Sequence, residues 1–355
     1  MKKSIRTGTD TVLSPGPKDN ADGRNILRPR SISEYIGQEK IKKKIILAME
    51  AAKNRDEPVG HVLLYGPPGL GKTSLAGVIA EYMDADLSVT SGNAFEKTGE
   101  LVKKLTSLSE GDVLFIDEIH GLDRQVQDVL YPAMEDFAVD ITFGSGEQTK
   151  TVRLPIPRVT IIGATTRADL LNNALKDRFE NTFRMEYYTP EELSVIIKHS
   201  AARIGCPEMT DGARLLIAQS SRGTPRLANR FVKTARDYAQ VNGLDIIKEE
   251  EAQMILAFCG IWKDGLDETD RKYLGYLAEV PDCPAGLDTI ASVMGENSRT
   301  VEEVIEPFLI YSGYIVKTPR GRKITERGLS LFTGAEGGGQ DTEEDRRTAD
   351  APPGI

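Results

Sequence analysis

The chain has 355 residues, of which 39% are hydrophobic and 28% are charged, and its formal net charge is −9. This length exceeds what one hydrophobic core usually supports, so it predicts two or three domains. No apolar run approaches the roughly 20 residues of a membrane span, and no signal-like apolar segment follows the N-terminal lysines. The acidic balance argues against indiscriminate nucleic-acid binding but is compatible with a local basic patch. The scattered Cys206, Cys259 and Cys283 are expected to be reduced thiols of a cytoplasmic protein.

Both ends of the chain have the composition of disordered tails. Residues 1–24 and 334–355 are rich in polar residues, glycine and proline, and they show no apolar period. Residues 25–188 instead alternate apolar runs with helical spacing, which predicts a parallel β-sheet covered by helices on both faces. The predicted strands are Val62–Tyr65, Leu87–Thr90, Val113–Ile116 and Thr160–Ala164.

A glycine-rich loop follows the first predicted strand. The segment 66–73 reads Gly-Pro-Pro-Gly-Leu-Gly-Lys-Thr and opens a helical pattern. Strand, loop and helix start in this order aim backbone N–H groups and the positive end of the helix dipole at an anion. In this pattern Lys72 reaches the β- and γ-phosphates of a nucleotide, and the Thr73 hydroxyl binds Mg²⁺. The loop therefore predicts a nucleoside triphosphate site, and a chance glycine turn is the less favoured interpretation.

Asp117 and Glu118 form a second nucleotide signature, since they follow the buried run Val113–Ile116. The first acid suits the Mg²⁺ shell, and the second suits the orientation and polarisation of an attacking water molecule. The fourth predicted strand leads into Thr165 and Thr166, and either hydroxyl would face the γ-phosphate if the strands are adjacent. Threonine also favours strands by shape alone, so this signal is weak by itself.

Two arginines are further candidates for contact with a nucleotide. Arg178 lies at the predicted edge of the domain, where an arginine is usually a solvated charge but in a ring ATPase can reach a neighbour's γ-phosphate. Arg226 follows Pro225 at a predicted helix start. That position is electrostatically unfavourable for a cation, so it favours an anionic partner.

A β-hairpin is predicted within the sheet domain. Residues 139–154 alternate apolar and polar side chains around Gly144-Ser145-Gly146. The pattern alone favours ordinary half-buried strands over a docking surface.

Two smaller domains are predicted to follow. Residues 189–260 are helical in pattern and open with Thr189-Pro190-Glu191-Glu192, a strong helix start. Residues 265–332 combine helices, including a pair at Leu287–Met294 and Thr300–Ser312, with two strands around a basic tip. This is the pattern of a winged helix, although a short basic loop is more often simply solvated.

In this order, the motifs resemble those of the AAA+ ATPases and, within them, the RuvB family, the motors of bacterial Holliday-junction branch migration. The most specific are Leu130–Phe137, which reads Leu-Tyr-Pro-Ala-Met-Glu-Asp-Phe, and Thr318–Arg322, which reads Thr-Pro-Arg-Gly-Arg. The similarity extends from about Leu27 to about Gly328. It implies an α/β fold: a AAA+ P-loop large domain with a parallel sheet, a small helical lid domain and a C-terminal winged-helix domain.

The resemblance implies functional residues at the matching positions. The adenine pocket would be lined by Leu27, Arg28 and Tyr188. The phosphates and Mg²⁺ of ATP would be held by Gly69, Gly71, Lys72, Thr73, Ser74 and Asp117. Glu118 keeps its catalytic role, Thr166 would be the first sensor of the γ-phosphate, and Arg226 the second. Arg178 would act as a finger across a subunit interface, with Glu135, Asp136 and Phe137 near the same nucleotide.

The resemblance also implies partners. The chain would form a hexameric ring on duplex arms of a Holliday junction, the hairpin 139–154 would dock a RuvA-like junction-binding protein, and a resolvase is a further partner that the family allows. The double-stranded DNA would be contacted by Lys317, Arg320, Arg322 and Arg299. No membrane partner is expected, and the protein would act in the bacterial cytoplasm.

The sequence departs from the family pattern at a few positions. Glu180 replaces a usual glycine, Ser298 and Lys317 replace usual arginines, and Gly121-Leu122-Asp123 follows His120 where a basic residue is usual. The DNA contacts are the part of the resemblance that these departures affect most, since Lys317 lacks the bidentate geometry of arginine.

Two other functions are compatible with the nucleotide motifs. An ATP-regulated loader or switch of the clamp-loader type would bind and release DNA without processive movement, but the winged helix and the hairpin weigh against it. A protein remodeller would carry an aromatic pore loop, and no such motif follows the second predicted strand.

Overall fold

The computed structural model describes residues 26–143 and 150–333, which divide into two compact units between Cys259 and Gly260. The two predicted tails and the predicted turn at Gly144-Ser145-Gly146 lie outside the described residues.

The first unit is built on a five-stranded parallel sheet. Its strands are β1 (Val62–Tyr65), β2 (Leu87–Ser91), β3 (Val113–Asp117), β6 (Thr160–Thr165) and β7 (Asn181–Arg184). They lie in the order β2-β3-β6-β1-β7, so β6 separates β1 from β3. The four predicted strands are confirmed to within one residue at their ends. The edge strand β7 was missed because only Phe183 of its four residues is buried, which leaves too little apolar pattern to recognise.

The predicted hairpin is confirmed as an antiparallel pair, β4 (Ala138–Phe143) and β5 (Lys150–Pro155). The register places Val139 opposite Leu154 and Ile141 opposite Val152. Val139 is fully buried while Val152 is half exposed. The base of the hairpin is therefore anchored in the core of the first unit.

Helices cover the sheet. They are α1 (Glu39–Arg55), α2 (Lys72–Tyr82), α3 (Thr98–Thr106), α4 (Arg124–Glu135) and α5 (Asn173–Lys176). Helix α4 is amphipathic and buries Val126, Leu130, Ala133 and Met134, which leaves Tyr131 and Glu135 on its more exposed side.

The remainder of the first unit is the predicted helical region. Its elements are α6 (Pro190–Ile204), β8 (Glu208–Met209), α7 (Asp211–Gln219), α8 (Pro225–Asn242), β9 (Ile246–Ile247) and α9 (Glu249–Phe258). The predicted helix start is a capping box, in which the Thr189 hydroxyl accepts from Glu192 N at 3.2 Å and the Glu192 carboxylate accepts from Thr189 N at 2.9 Å.

The second unit is a winged helix. It contains β10 (Ile261–Lys263), β11 (Leu266–Asp267), α10 (Glu268–Glu279), α11 (Leu287–Met294), α12 (Ser298–Thr300), α13 (Glu306–Tyr311), β12 (Ile315–Thr318), β13 (Gly321–Ile324) and α14 (Glu326–Thr333). The predicted helix Thr300–Ser312 is interrupted by a π-helical turn over Val301–Ile305, immediately before Glu306 and Pro307. Strands β12 and β13 form the wing. No helix in either described range has the length and apolar character needed to cross a membrane.

Candidate functional site: a nucleotide cleft and two clusters of charged residues

The glycine-rich loop joins the end of β1 to the start of α2. Gly66, Gly69 and Gly71 have φ angles of 139°, 83° and 94°, a region that favours glycine. At Gly66 a β-carbon would also lie 2.6 Å from Met185 O, so a side chain cannot be accommodated there. Helix α2 begins after Gly71, which has no side chain that could cap the first N–H groups of the helix. This cradle fits a phosphate anion.

Lys72 lies buried at the base of this loop, with 7% of its surface exposed. Its ammonium donates to Gly66 O at 2.8 Å and to Pro67 O at 2.9 Å. Burial lowers the pKa of Lys72, while Glu118 and Asp117 partly offset the effect by attraction. The cation is therefore held against the loop by neutral carbonyls, within the field of two carboxylates.

The paired acids lie at the carboxyl end of β3, as predicted. Asp117 Oδ1 accepts from Glu118 N at 3.1 Å. Burial and then the neighbouring Glu118 raise the pKa of Asp117, and the attraction of Lys72 and Arg226 offsets part of this effect. A divalent cation would relieve both effects, so the donor set fits Mg²⁺.

Glu118 has a backbone φ of 45°, which is uncommon for a residue with a side chain. Its carboxylate accepts from Thr166 N at 3.2 Å and from the Thr166 hydroxyl at 3.2 Å, and it lies 3.2 Å from His120 Nδ1. His120 Nδ1 is also 2.9 Å from the hydroxyl of Thr165, which is fully buried. Of the two predicted threonines, Thr166 is therefore the one in the cleft, and Thr165 supports His120.

The loop, the acids and Thr166 line a cleft of about 470 Å³. The sequence-predicted residues that line it are Leu27, Arg28, Gly69, Gly71, Lys72, Thr73, Ser74, Asp117, Glu118, Thr166, Tyr188 and Arg226. One wall is the start of α8, where Arg226 N donates to Gly69 O at 3.3 Å. Tyr188 is buried behind the loop and donates to Leu70 O at 3.2 Å, and burial raises its pKa to about 12.

The segment that carries Leu27 and Arg28 is fastened to α6. Arg203 donates to Arg28 O at 3.1 Å and forms an ion pair of 2.7 Å with Glu34. The Glu34 carboxylate also accepts from Arg30 N at 2.7 Å, which, together with Arg203, lowers the pKa of Glu34 although burial opposes the effect. Sequence reasoning missed Glu34 and Arg203, because ion pairing across 169 positions leaves no local pattern.

Arg178 does not line this cleft. Its guanidinium forms an ion pair of 3.2 Å with Glu135 and stacks on the Tyr131 ring, with 4.3 Å between Cζ and the ring centroid. The adjacent Asp136 forms an ion pair with Arg153 of β5. Phe137 has a φ of 49° and receives the Arg158 guanidinium over its ring at 5.2 Å. The structure thus brings together Arg178 and Glu135 in a second cluster, apart from the cleft of their own chain.

The predicted DNA-contacting residues have different surroundings. Arg322 is 13% exposed and forms a two-point ion pair with Glu306, at 2.7 and 3.1 Å. Lys317 contacts the same carboxylate at 3.0 Å, and the Tyr273 hydroxyl donates to it at 3.1 Å. Arg320 is exposed at the tip of the wing.

Glu306 is fully buried under these contacts. Burial alone would raise its pKa, but Arg322 and Lys317 outweigh that effect, so the pKa of Glu306 is lowered. Sequence reasoning missed Glu306, because an acid within a helical pattern normally indicates a solvated face.

Residues at or beside the positions that depart from the family pattern contact other residues of this chain. The Glu180 carboxylate lies against Gly60, where an added β-carbon would be 2.1 Å from Oε2. The Ser298 hydroxyl donates to Asp288 at 2.6 Å, and Arg299 pairs with Glu303 one helical turn away at 3.1 Å. These side chains are therefore engaged within their own units.

The cradle and the buried lysine follow β1, the clamped acid follows β3, and Thr166 follows the intervening β6. Together with the helical region that walls the cleft, they define a nucleotide-binding P-loop ATPase of the AAA+ class. Three family descriptions match: the Holliday junction DNA helicase RuvB P-loop domain over residues 27–185, the RuvB AAA lid domain over 188–261 and the RuvB C-terminal winged helix domain over 263–333. The chain belongs to the RuvB family.

Individual relatives agree with this assignment. The RuvB subunit of the Holliday junction branch migration complex from Rubrobacter xylanophilus is 50% identical over 305 residues, which is 86% of this chain and 86% of that protein. The solved structure of the Thermotoga maritima RuvB Holliday junction branch migration motor is 42% identical, with a TM-score of 0.77, and covers 87% of this chain and 99% of its own. A lysine-to-arginine mutant of that protein has a TM-score of 0.78 at the same identity and coverage.

Proposed function

We propose that this chain is an ATP-driven DNA translocase that moves the branch point of Holliday junctions in recombination and repair, as a hexameric ring on duplex arms. The observation that carries the proposal is the separation of Arg178 and Glu135 from the cleft of their own chain. An arginine finger that lies away from its own nucleotide completes the site of a neighbour, so this arrangement supports a ring.

In this proposal Lys72, Thr73 and Ser74 hold the phosphates of ATP, and Thr73 with Asp117 holds Mg²⁺. The metal ion, when bound, neutralises charge on the phosphate oxygens. Glu118 orients the attacking water and accepts its proton, and Thr166 fixes the Glu118 carboxylate. Arg226 senses the γ-phosphate from the same chain, because its own backbone N–H contacts the phosphate loop.

Selection of the adenine base is assigned to Leu27, Arg28 and Tyr188. Leu27 and Tyr188 are both buried, so they offer apolar surface to a base. The Arg203–Glu34 pair keeps the segment carrying Leu27 and Arg28 on α6. Closure of α6 and α8 on the nucleotide would therefore move the base-binding segment with them.

Partners are assigned to surfaces outside the cleft. The hairpin β4–β5 is proposed to dock a RuvA-like junction-binding protein, and its exposed Val152 supports an apolar contact. The wing is proposed to contact DNA phosphates without reading sequence, chiefly through the exposed Arg320, as a motor on any sequence requires. We place this activity in the bacterial cytoplasm, where the free Cys206, Cys259 and Cys283 would stay reduced.

A branch-migration assay on a synthetic four-way junction tests the whole proposal. The wild-type chain, with a RuvA-like partner, is expected to convert the junction to duplex products in the presence of ATP and Mg²⁺. The Lys72→Ala chain is expected to give none. ATP-dependent binding of the junction without strand exchange would contradict the translocase and would favour a loader.

The subunit arrangement has its own test. Arg178→Ala is expected to abolish ATP hydrolysis while leaving ATP binding intact. Mixing this variant with Lys72→Ala chains is expected to restore part of the turnover, because an intact pocket then meets an intact finger. The absence of any rescue would contradict a finger that acts between subunits.

A further inference from the structure

Helix α4 presents a row of polar side chains toward the segment that carries Arg178. Gln127, Tyr131 and Glu135 are spaced by four residues, so they share one face of the helix. Asn172 Nδ2 donates to Gln127 Oε1 at 2.6 Å and to the Tyr131 hydroxyl at 2.8 Å, while Asn172 Oδ1 accepts from Leu175 N at 2.7 Å. The residue that caps α5 is therefore tied to Tyr131, and Arg178 follows α5 by two residues.

The Arg178 side chain lies on the Tyr131 ring in a defined orientation. Its Nη1 donates to Ala174 O at 2.5 Å, and its Nη2 contacts Glu135 Oε1 at 3.2 Å. Its Nε is buried and has no hydrogen-bond partner among the described residues. A buried donor left without an acceptor is costly, so the conformation requires another source of stabilisation, and the ring face supplies one by cation–π attraction.

Stacking on the Tyr131 ring leaves in-plane N–H bonds of the Arg178 guanidinium available to a phosphate. Each terminal nitrogen of arginine carries two N–H bonds, and within the described part of the chain Nη1 contacts Ala174 O and Nη2 contacts Glu135, which leaves further N–H bonds for a phosphate. The ring engages the flat face, whereas phosphate oxygens are bound by donors in the plane of the group. Glu135 is 55% exposed, and such a pair is weak enough for a phosphate to replace it.

We propose that Tyr131 is a positioning residue for ATP hydrolysis in the neighbouring subunit, because its ring holds the Arg178 guanidinium in the orientation that reaches the γ-phosphate. The inference rests on the proposed action of Arg178 between subunits. Tyr131 itself touches no substrate in this assignment. The hydroxyl orients the ring through Asn172, and the ring face carries the effect.

Mixed rings separate the role of Tyr131 in the finger from any general role in the fold. The reference mixture contains Lys72→Ala chains, which supply fingers, and Arg178→Ala chains, which supply pockets. Tyr131→Leu is then added to the finger chain or to the pocket chain. We expect kcat of the mixture to fall about tenfold in the first case with KM for ATP unchanged, and to stay within twofold in the second.

Further variants identify the part of the side chain that acts. Tyr131→Phe in the finger chain keeps the ring and is expected to retain most of the turnover. Tyr131→Gln has no ring but keeps a polar tip for Asn172, and it is expected to behave like Tyr131→Leu. If the Tyr131→Leu chain does not fold, the Tyr131→Gln chain is used in its place. Tyr82→Leu is a matched control, since the Tyr82 ring bears the Lys53 ammonium at 4.5 Å in the same unit, and it is expected to leave kcat unchanged.

The outcomes distinguish the two proposals. Equal turnover whichever chain carries Tyr131→Leu, with the reference mixture active, overturns the role of Tyr131 and leaves the finger intact. Equal loss from Tyr131→Phe and Tyr131→Leu overturns the role of the ring. A reference mixture without turnover overturns the action of Arg178 between subunits and the role of Tyr131 with it.

Discussion

At the scale of single residues, the carboxylate of Glu118, which is proposed as the general base, is held by two side chains. Glu118 occupies a left-handed backbone conformation, and its carboxylate is fixed by Thr166 and His120. The strained backbone aims the carboxylate, and the hydrogen bonds limit its rotation. Thr166 thus acts on Glu118 in this structure, in addition to the contact with phosphate that its position directly after β6 predicts.

Thr166→Val is expected to lower kcat for ATP hydrolysis by about 10- to 100-fold, because a hydrogen bond to a charged group contributes about 1.5–3 kcal/mol. ATP affinity should change little, since Lys72 and the loop are untouched. Steady-state ATPase assays and nucleotide binding by calorimetry measure the two effects. Thr166→Ser restores the hydroxyl and should recover most of the rate. A Thr166→Val chain with normal kcat would show that Glu118 needs no support from this residue.

At the scale of elements, a buried histidine connects the strand before the phosphate loop to the helix of the second cluster. His61 Nδ1 accepts from Ile161 N at 3.0 Å, so the proton resides on Nε2, which donates to Met134 O at 3.0 Å. Met134 directly precedes Glu135. His61 therefore joins β1, β6 and the end of α4, and burial lowers its pKa.

His61→Leu is expected to lower the free energy of unfolding of the first unit by about 2–4 kcal/mol, because Ile161 N and Met134 O both lose a partner in a buried place. Denaturant unfolding followed by circular dichroism measures the loss. A value under about 0.5 kcal/mol would contradict this function of the side chain.

The pH dependence of stability provides a separate test of His61. A histidine with a lowered folded pKa contributes stability above its ordinary value of 6.5, and this contribution is lost as the pH falls toward the folded pKa. The wild type should therefore lose up to about 1.4 kcal/mol per pH unit below pH 6.5 from this group. His61→Leu should lack this component, whereas a variant of the exposed His199 should keep it. Identical pH profiles for the wild type and His61→Leu would contradict the assignment.

Elements whose residues are apolar and contiguous could be predicted from the sequence, and so could the loop between β1 and α2. The central strands are buried on both faces, so their identity is encoded in the residues themselves. The second layer of the site could not be predicted. Tyr131, His120 and Glu306 act through partners that lie 41, 45 and 33 positions away in the sequence, respectively. Only the three-dimensional packing brings those partners together.

At the scale of the whole molecule, the two units carry separate tasks and separate sets of charges. In the second unit, Arg322 and Lys317 of the wing neutralise the buried Glu306. Basic residues in the wing are therefore of two kinds, those that maintain the fold and those, such as Arg320, that are exposed. If substitution of a residue of the first kind abolishes DNA binding, the cause is damage to the fold. If substitution of an exposed residue does so, the cause is a lost contact with DNA.

Arg322→Ala is expected to destabilise the second unit by about 3–5 kcal/mol, because it leaves a buried carboxylate without its main counter-charge. The chain has a single tryptophan, Trp262, which lies in this unit 5.8 Å from the Phe332 ring, so its fluorescence reports on unfolding there. Unchanged fluorescence-detected unfolding would contradict the structural role of Arg322.

Arg320→Ala is the matched variant, since it removes an exposed charge from the same wing. Its stability should stay within about 0.5 kcal/mol of the wild type. Its affinity for duplex DNA should fall at every sequence, and the slope of log K against log salt should decrease by about one. DNA titrations at several salt concentrations measure this slope, and an unchanged slope would remove Arg320 from the interface.

The π-helical turn at Val301–Ile305 determines how the following helix, α13, is rotated about its axis. Because i→i+5 bonding encloses one more residue than an ordinary helical turn, everything after it is rotated by about 100° relative to a regular helix. Pro307 would otherwise press on the carbonyl of Glu303 four residues earlier, and the wider turn relieves that contact. Deleting the exposed Val304 would restore the regular phase. It should therefore turn Glu306 away from Arg322 and Lys317, which would keep only their ion pairs with the half-exposed Glu302. The number of residues in this turn thus determines whether Arg322 and Lys317 of the wing pair with Glu306.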